Sequence, residues 1–542
     1  VNIPAWQTLP PLAELAAAMQ NRARPLHLLV CLNNRKIPEF TVSDVLDDTQ
    51  CRLKTALDES LKCIQFNSIN VFEQLLPDVT LWLAPPKTVP RLQEHFGGHN
   101  LDWQTDAPKQ IEAEIPALSS AEEVKPWFRP SENRIPPENV LIIGAGIAGA
   151  AMARLLAEQG VRTTVLEAGA AARGGSGNRQ GLLYAKISPH NTEQTELLLA
   201  GYGYTRRLLA RLLPGSDAWG GSGVVHLNYD VAERKRNQAL ALQAHHAHLY
   251  RAVSQAEAAE IAGVELFSDG LYWPQGVWLN PPAVVRALLD HPLVSLHEHT
   301  PLQRAEFDGE NWTAHTPQGR FSGSHIIYCT GADSPAAPEP NAAALPYRQI
   351  RGQTGVAQAT AFSERLKCAV SGESYISPAW QGSHCYGATF VLNSADKSWR
   401  TDEEAANRAA LAQLNPPLAQ SLFSDGRNGL ETATGHAALR CDSPDHLPLV
   451  GALGDIAAMQ TVYAKLALDK NYRLTAPCPY LPRAYLNTAH GTRGLATAPL
   501  CAAALTAEIL GLPHPLSRRL RTALHPNRTV IRAIVRGQGL LK

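Results

Sequence analysis

An apolar strand pattern, "VLII" at Val140–Ile143, runs straight into "GAGIAG" at Gly144–Gly149 and then into a helical pattern. Each glycine has a separate duty. Gly144 permits a tight turn, Gly146 lets the backbone approach a pyrophosphate, and Gly149 lets helix and strand pack closely. The helix that follows offers free N–H groups and the positive end of its dipole to that pyrophosphate. A lone GxGxxG is weak, but here a second strand, "RTTVLEA", ends at Glu167, 21 residues past Gly146. That is where a carboxylate accepts from ribose hydroxyls. The acid favours a ribose with free hydroxyls, hence FAD or NAD rather than NADP. Far downstream, "IIYCTGAD" (Ile326–Asp333) is another apolar strand ending at a glycine, Gly331. Two-domain flavoproteins return to their dinucleotide sheet in this way, which tips the expectation to FAD.

A chain of 542 residues exceeds one hydrophobic core, so two to four domains or subdomains are expected. Residues 1 to roughly 125 predict a small α/β unit, with strands at "LHLLVCL" and "VTLWLAP" and helices around Leu12–Met19 and Thr55–Cys63. The polar, proline-broken "SSAEEVKPWFRPSENRIPPEN" predicts a linker. Helices are expected at Glu193–Leu213 and Pro281–Leu289, strands at "GVVHLNY" and through Ser295–Ala332, and a β-rich stretch from Arg351 to Phe390. Nine scattered cysteines without a CxxC pair suggest neither zinc nor disulfides. No metal, no membrane span and no secretory signal are expected, and a reduced cytoplasmic location follows.

Formal charge is zero, which argues against a general nucleic-acid binder. The balance is uneven, because no acid follows Glu508 while Arg518, Arg519, Arg521, Arg528, Arg532, Arg536 and Lys542 do. Such a tail is either a solvated helix end or a phosphate-contacting surface.

From "GGSGNRQGLLYAKIS" (Gly174–Ser188) onward the chain resembles the C-terminal FAD-dependent oxidoreductase domain of the MnmC family of tRNA-modifying enzymes. The likeness continues through "LYWPQGVWLNPP", "RCDSPDHLPLVG", "GTRGLATAPLCA" and "LHPNRTVIR", and includes "KPWF". The wider group is that of D-amino-acid and glycine oxidases. The resemblance implies an α/β fold: an FAD-binding Rossmann-like domain of the glutathione-reductase type, interleaved with a β-rich substrate domain, behind a small N-terminal α/β domain. The expected division is residues 1–125 for that N-terminal unit and 126–136 for the linker. Residues 137–220, 285–345 and 430–542 would then form the FAD-binding domain, and 221–284 and 346–429 the substrate domain. The implied reaction oxidises the carboxymethylaminomethyl group of a tRNA wobble uridine to aminomethyl, releasing glyoxylate. The partners would be a tRNA anticodon stem-loop and oxygen or another electron acceptor.

Family members usually carry an N-terminal methyltransferase. Here that region is about half the expected length and shows no glycine-rich SAM loop after a strand, so no methylation of its own is expected. Rival readings are a free glycine or D-amino-acid oxidase, a tRNA-binding protein with a structural flavin, and a bifunctional enzyme that also methylates with SAM.

A substrate carboxylate is best held by a bidentate arginine with a tyrosine hydroxyl as second donor. Arg440 and Tyr375 stand where this class of oxidase places them, although Arg440 paired to an acid such as Asp445 is the structural alternative. Arg493 and Lys186 are further candidates near the reacting centre, with Arg179 beside them. FAD contacts are expected from Gly144, Gly146, Ile147, Ala148, Gly149, Glu167, Ala168, Ser176, Gly177, Asn178, Gln180, Leu302, Gly331, Gly491, Gly494 and Leu495. His226, His384, His436 and His490 show no metal spacing and are assigned no catalysis. Tyr272, Trp273 and Trp278 are possible base stackers, with core packing expected for at least two.

Overall fold

The computed structural model describes residues 2–20, 25–104, 124–130, 135–243, 246–424 and 426–541. The fingerprint strand Asn139–Ile143 lies inside a six-stranded sheet. Its order is Val294–His297, Arg162–Leu166, Asn139–Ile143, His325–Tyr328, Tyr480–Thr488 and Leu449–Gly454. All neighbours are parallel except the last pair. Ile326 pairs with Leu141, so the downstream strand does return beside the fingerprint. Helices Ile147–Glu158 and Gly494–Leu510 lie on one face, and Glu193–Leu212 and Pro281–Leu289 pack on these two. Their facing surfaces are rich in alanine and glycine, which permits close crossing. A Cβ on Gly201 would stand 2.1 Å from the Ala496 carbonyl. Helix Pro281–Leu289 starts as its sequence dictates, with Asn280 accepting from the Ala283 N–H at 2.8 Å and proline in its first turn.

Gly494–Leu510 belongs to the segment Gly491–Leu510, which by length and composition alone could cross a membrane; 72% of its apolar window is buried in the fold. It is the central core helix.

The second large sheet has nine strands. Along the main path run Arg251–Val253, Gly270–Trp273, Val224–Leu227, Ala369–Ser371, Tyr375–Ile376, Ser383–Gly387, Arg348–Gln358 and Val391–Leu392. Strand Thr434–Asp442, from a segment assigned by sequence to the dinucleotide domain, pairs antiparallel along Arg348–Gln358. Helices Thr401–Leu414 and Pro416–Phe423 back this sheet. The fully buried Arg351 donates from Nε to Glu403 Oε1 at 2.6 Å.

The N-terminal unit holds both expected strands, Leu26–Cys31 and Val79–Ala84, and helices Leu12–Ala18 and Asp48–Leu61. Three further strands, Asn2–Trp6, Asn70–Leu76 and Asn100–Trp103, complete a five-stranded sheet. The unit docks on the flavoprotein body through Tyr204–Glu73, Arg206–Glu59 at 3.0 Å, His248 Nε2–Ile64 O at 2.6 Å and the His514 N–H to His95 carbonyl bond at 2.7 Å.

Two segments are more closely packed than their composition suggests. The "KPWF" segment is not a free linker: Trp127 is buried against Tyr463, and its carbonyl accepts from Tyr480 Oη and Asn527 Nδ2. Part of the basic tail is engaged by the protein itself rather than left free. Arg519 pairs with Glu193 at 2.9 Å, Arg521 donates to the Glu94 carbonyl at 2.7 Å, and Arg528 and Arg532 share Asp445 at 2.9 and 3.2 Å.

Candidate active site

At the C-terminal edge of the parallel sheet, the turn Gly144–Gly149 has the shape its glycines demand. Gly144 sits at φ +106°, and a Cβ there would meet the Cys329 carbonyl at 2.6 Å; one on Gly149 would stand 1.8 Å from the Gly144 carbonyl. Helix Ile147–Glu158 begins at Gly146 without a side-chain cap from that residue. Instead Ser176, on the loop after the second strand, accepts from the Ile147 N–H at 3.0 Å. The next orphan amides, at Ala148 and Gly149, suit a pyrophosphate. Glu167 accepts from the Ala145 N–H at 2.7 Å and the Gly169 N–H at 2.9 Å, which fixes its carboxylate beside the turn. Thr300 donates its N–H to the Glu167 carbonyl at 2.7 Å and so brings the segment carrying Leu302 alongside. Ala168 is exposed next to Glu167, and Gly331 takes φ +51° just beyond the returning strand.

A second helix start converges on the first. Gly491–Arg493 forms a 3-10 turn into Gly494–Leu510, again with no side-chain cap, and a Cβ on Gly494 would lie 3.6 Å from Ile147 Cγ2. Leu495 packs where Gly181 has no side chain. Two helix N-termini thus meet beside a carboxylate that faces the fingerprint turn. This donor set fits a dinucleotide whose ring system gains negative charge on reduction.

The loop Gly174–Gln180 joins this edge to the nine-stranded sheet. His436 lies against Gly177 and bonds the Gly174 carbonyl at 2.9 Å, and Asn178 accepts from Thr354 at 3.4 Å. Gln180 is fully buried and spends its side chain on the Pro378 carbonyl and the Cys385 N–H, so it braces the two sheets. Arg179 behaves similarly, donating to the Trp380 carbonyl at 2.6 Å with its guanidinium over the Trp380 ring.

Arg440 and Tyr375 come together. The Tyr375 hydroxyl donates to the Gln180 carbonyl at 3.2 Å and touches Cys385 Sγ at 3.6 Å; burial holds its phenol well above the ordinary pKa, so it stays a donor. The Arg440 guanidinium spreads over Gly352, where a Cβ would stand 2.0 Å from Nη1. That nitrogen is shut from solvent and has no hydrogen-bond partner, and no acid pairs with Arg440 among the described residues. The alternative of an Arg440–Asp445 pair fails, because Asp445 belongs to Arg528 and Arg532. Burial lowers the Arg440 pKa, and the Tyr375 phenol opposes that shift. An enclosed cation without a counter-ion is costly unless something anionic joins it.

Arg493 donates Nη1 to the Lys186 carbonyl at 2.5 Å. The Lys186 ammonium turns instead to Glu233 at 2.5 Å and the Tyr229 hydroxyl at 3.1 Å. Around Glu233 lies a polar network that the sequence reading missed. His226 Nε2 approaches at 3.2 Å, Arg236 pairs with it, and His226 leads through Ser371 to the Tyr184 hydroxyl. Burial pushes the His226 pKa below its ordinary value, with Glu233 opposing. Burial alone would raise the Glu233 pKa, but the surrounding donors and cations hold it well below the ordinary range. Its one local signal is a capping pattern, with Asp230 accepting from the Glu233 N–H at 2.7 Å.

His490 is enclosed between Thr497 and Asn487, its pKa pushed down to about 3 by burial, and His384 is likewise tied to Ser377 and Ser363. No metal-holding cluster exists among the described residues. Trp273 and Trp278 are core residues, while Tyr272 keeps partial exposure and donates to the Ser222 carbonyl.

A dinucleotide edge that faces a long, mostly antiparallel sheet defines a two-domain flavoprotein oxidoreductase. Residues 139–508 match the DAO family, described as FAD dependent oxidoreductase, and the chain belongs to that family. It is 39% identical over 414 residues to the Chromobacterium violaceum protein named tRNA 5-methylaminomethyl-2-thiouridine biosynthesis bifunctional protein MnmC, covering 76% of this chain and 62% of that one. The Pseudomonas paraeruginosa protein of the same name is 40% identical over 416 residues, covering 76% and 63%. The chain therefore spans less than two thirds of the length of these relatives. Among solved structures, the fold is shared with a Geobacillus kaustophilus glycine oxidase (TM-score 0.55, 18% identity, 70% of this chain and 96% of that one). It is shared equally with an L-proline dehydrogenase from P. horikoshii (TM-score 0.54, 15% identity, 74% and 100%).

Proposed function

We propose that this flavoprotein oxidises the carboxymethylaminomethyl group on the wobble uridine of tRNA, leaving aminomethyl and releasing glyoxylate. The observation that carries the proposal is the enclosed, unpartnered Nη1 of Arg440 beside the Tyr375 hydroxyl. A small carboxylate completes that pair, and the reaction needs a substrate whose oxidised carbon lies next to one. The similarity to MnmC proteins supports tRNA as the carrier of that carboxylate.

Bound FAD supplies the acceptance of two electrons, as hydride, from the carbon between amine and carboxylate. The protein's own groups do the rest. Arg440 forks onto the carboxylate, and the Tyr375 hydroxyl turns from the Gln180 carbonyl to donate to it, which fixes the oxidised carbon. The helix start at Gly494 directs its free N–H groups and dipole toward the negative charge that reduction creates. Glu167 and the amides of Ala148 and Gly149 hold the dinucleotide. Arg493, anchored to the Lys186 carbonyl, keeps a cation at the site while Glu233 holds the Lys186 ammonium aside. After the C–N bond loses two electrons, water adds to the carbon, the C–N bond breaks, and glyoxylate leaves. Oxygen or another acceptor then takes the electrons. The enzyme works in the cytoplasm, where tRNA is found, and its N-terminal unit packs on the flavoprotein body without methylating.

Deleting the gene tests the proposal through the nucleosides of total tRNA. Carboxymethylaminomethyluridine should accumulate; an unchanged nucleoside profile in a strain with no second oxidase would refute it.

A further inference from the structure

The edge strand Val391–Leu392 of the nine-stranded sheet and the residue before it expose three apolar residues in a row: Phe390 is 57% exposed, Val391 40% and Leu392 58%. Leu392 lies opposite Ile350 and Val391 opposite Arg351. Backbone bonds from Thr389 N–H to the Gln353 carbonyl and from Asn393 N–H to the Gln349 carbonyl, both 3.1 Å, extend that register on either side. Phe390 therefore faces Gly352 across the strands. On the other side of the same central strand, Ile350 pairs with Arg440 and Gly352 with Ala438. Cross-strand partners share a face. Phe390, Leu392, Ile350, Gly352 and Arg440 thus stand on one face, and Thr354 on that face bonds Asn178 of the loop at the dinucleotide edge. Arg351 and Gln353 point the other way, toward the segment around helix Thr401–Leu414.

The Arg440 guanidinium covers Gly352. Phe390 on the next strand is then about 4.8 Å further along, one strand spacing. Its ring has no aromatic or cationic partner among the described residues and belongs to no core cluster.

We propose that Phe390, with Leu392 beside it, is the platform on which the base of the RNA substrate rests while Arg440 holds that substrate's carboxylate. The inference rests on the function proposed above. From the carboxylate carbon through CH2, NH and CH2 to the pyrimidine ring there are four bonds of about 1.5 Å, or roughly 5 Å when extended. That reach equals one strand spacing, so a substrate clamped at Arg440 brings its ring to Phe390. A free glycine fills the clamp and never touches the platform. Stacking on an exposed aromatic is how single-stranded bases are held without regard to sequence. The same face supplies a cation for the backbone. Arg348, two residues before Ile350, is exposed and has no ion pair among the described residues. The acid opposite it, Asp442, is engaged by the Ser443 N–H and His446.

The test compares Phe390→Ala and Phe390→Trp holoenzymes with wild type, using an anticodon stem-loop RNA that carries carboxymethylaminomethyluridine. Phe390→Ala should raise KM on the order of 5- to 150-fold, the loss of one base–aromatic stack, with kcat within about threefold. Phe390→Trp should keep the wild-type KM. Unchanged flavin content and melting temperature in both variants establish that the fold is intact. An unaltered KM in Phe390→Ala overturns the platform, as does equal damage from tryptophan, which would mark a packing role. If wild type leaves the RNA unoxidised, the proposed function itself falls and the platform with it. An active wild type with an indifferent Phe390→Ala removes the platform alone.

Discussion

Replacing Arg440 by alanine separates the carboxylate clamp from every other part of the site. Its side chain has no acid to lose, so the variant deletes only what a substrate would have met. A carboxylate and guanidinium about 4 Å between charge centres attract by roughly 4 kcal/mol at an effective dielectric near 20. The substrate gives up hydration to enter, and the two parallel N–H bonds of the fork return part of that. The net loss should be about 2–4 kcal/mol, or roughly 30- to 1000-fold in kcat/KM. Flavin content should be unchanged, because neither Arg440 nor its neighbour Gly352 touches the fingerprint turn. Melting temperature should hold or rise, since an enclosed cation without a partner opposes folding. The assay is anaerobic flavin reduction in a stopped-flow instrument over a range of substrate concentrations. If the second-order rate constant of reduction matches wild type, Arg440 is not the clamp.

Other expectations follow from the same geometry. Acid precipitation of the yellow protein should release FAD to the supernatant; flavin retained in the pellet would contradict non-covalent binding. Glu167→Ala loses the ribose acceptor and the two amide bonds that shape the turn, and apoprotein titration should show FAD affinity down about 10- to 100-fold. Burial raises the Glu73 pKa to about 7, with the Tyr204 hydrogen bond opposing it. The folded state therefore holds a proton that the unfolded chain releases near pH 4.5, and stability should fall as pH rises from about 4.5 to 7. Glu73→Gln should remove that part of the slope in urea unfolding at pH 5 and 7.5, and parallel slopes would count against it. Protein given SAM and tRNA bearing aminomethyluridine should leave the nucleoside unchanged, because Leu26–Cys31 and Val79–Ala84 run into "LNNR" and "PPKT" rather than glycines. Methylaminomethyluridine formed with turnover would show a working methyltransferase.

What the sequence made legible was local pattern with a strict chemical reason. Gly144, Gly149 and Glu167 announce their turn and acceptor because few residues serve there. Pro281–Leu289 was visible through its cap, its prolines and its periodicity. Contacts between distant segments were not visible. Nothing near Arg528 says that its partner is Asp445, 83 residues earlier, so the tail looked like free charge. Glu233 seemed an ordinary helix acid until folding set Lys186 and His226 around it. The strand Asn70–Leu76 was hidden by its polar centre and irregular pairing with Val79–Ala84. Phe390 gains meaning only from the register of an edge strand against Arg348–Gln358, which no local pattern encodes.

The central claim is tested most directly by one reconstituted turnover. Purified holoenzyme is incubated with tRNA bearing carboxymethylaminomethyluridine, and the digested nucleosides and free glyoxylate are both quantified. The account predicts aminomethyluridine and glyoxylate in equal amounts, with flavin reduced when oxygen is withheld. Intact carboxymethylaminomethyluridine in the presence of an enzyme that oxidises free glycine would contradict it.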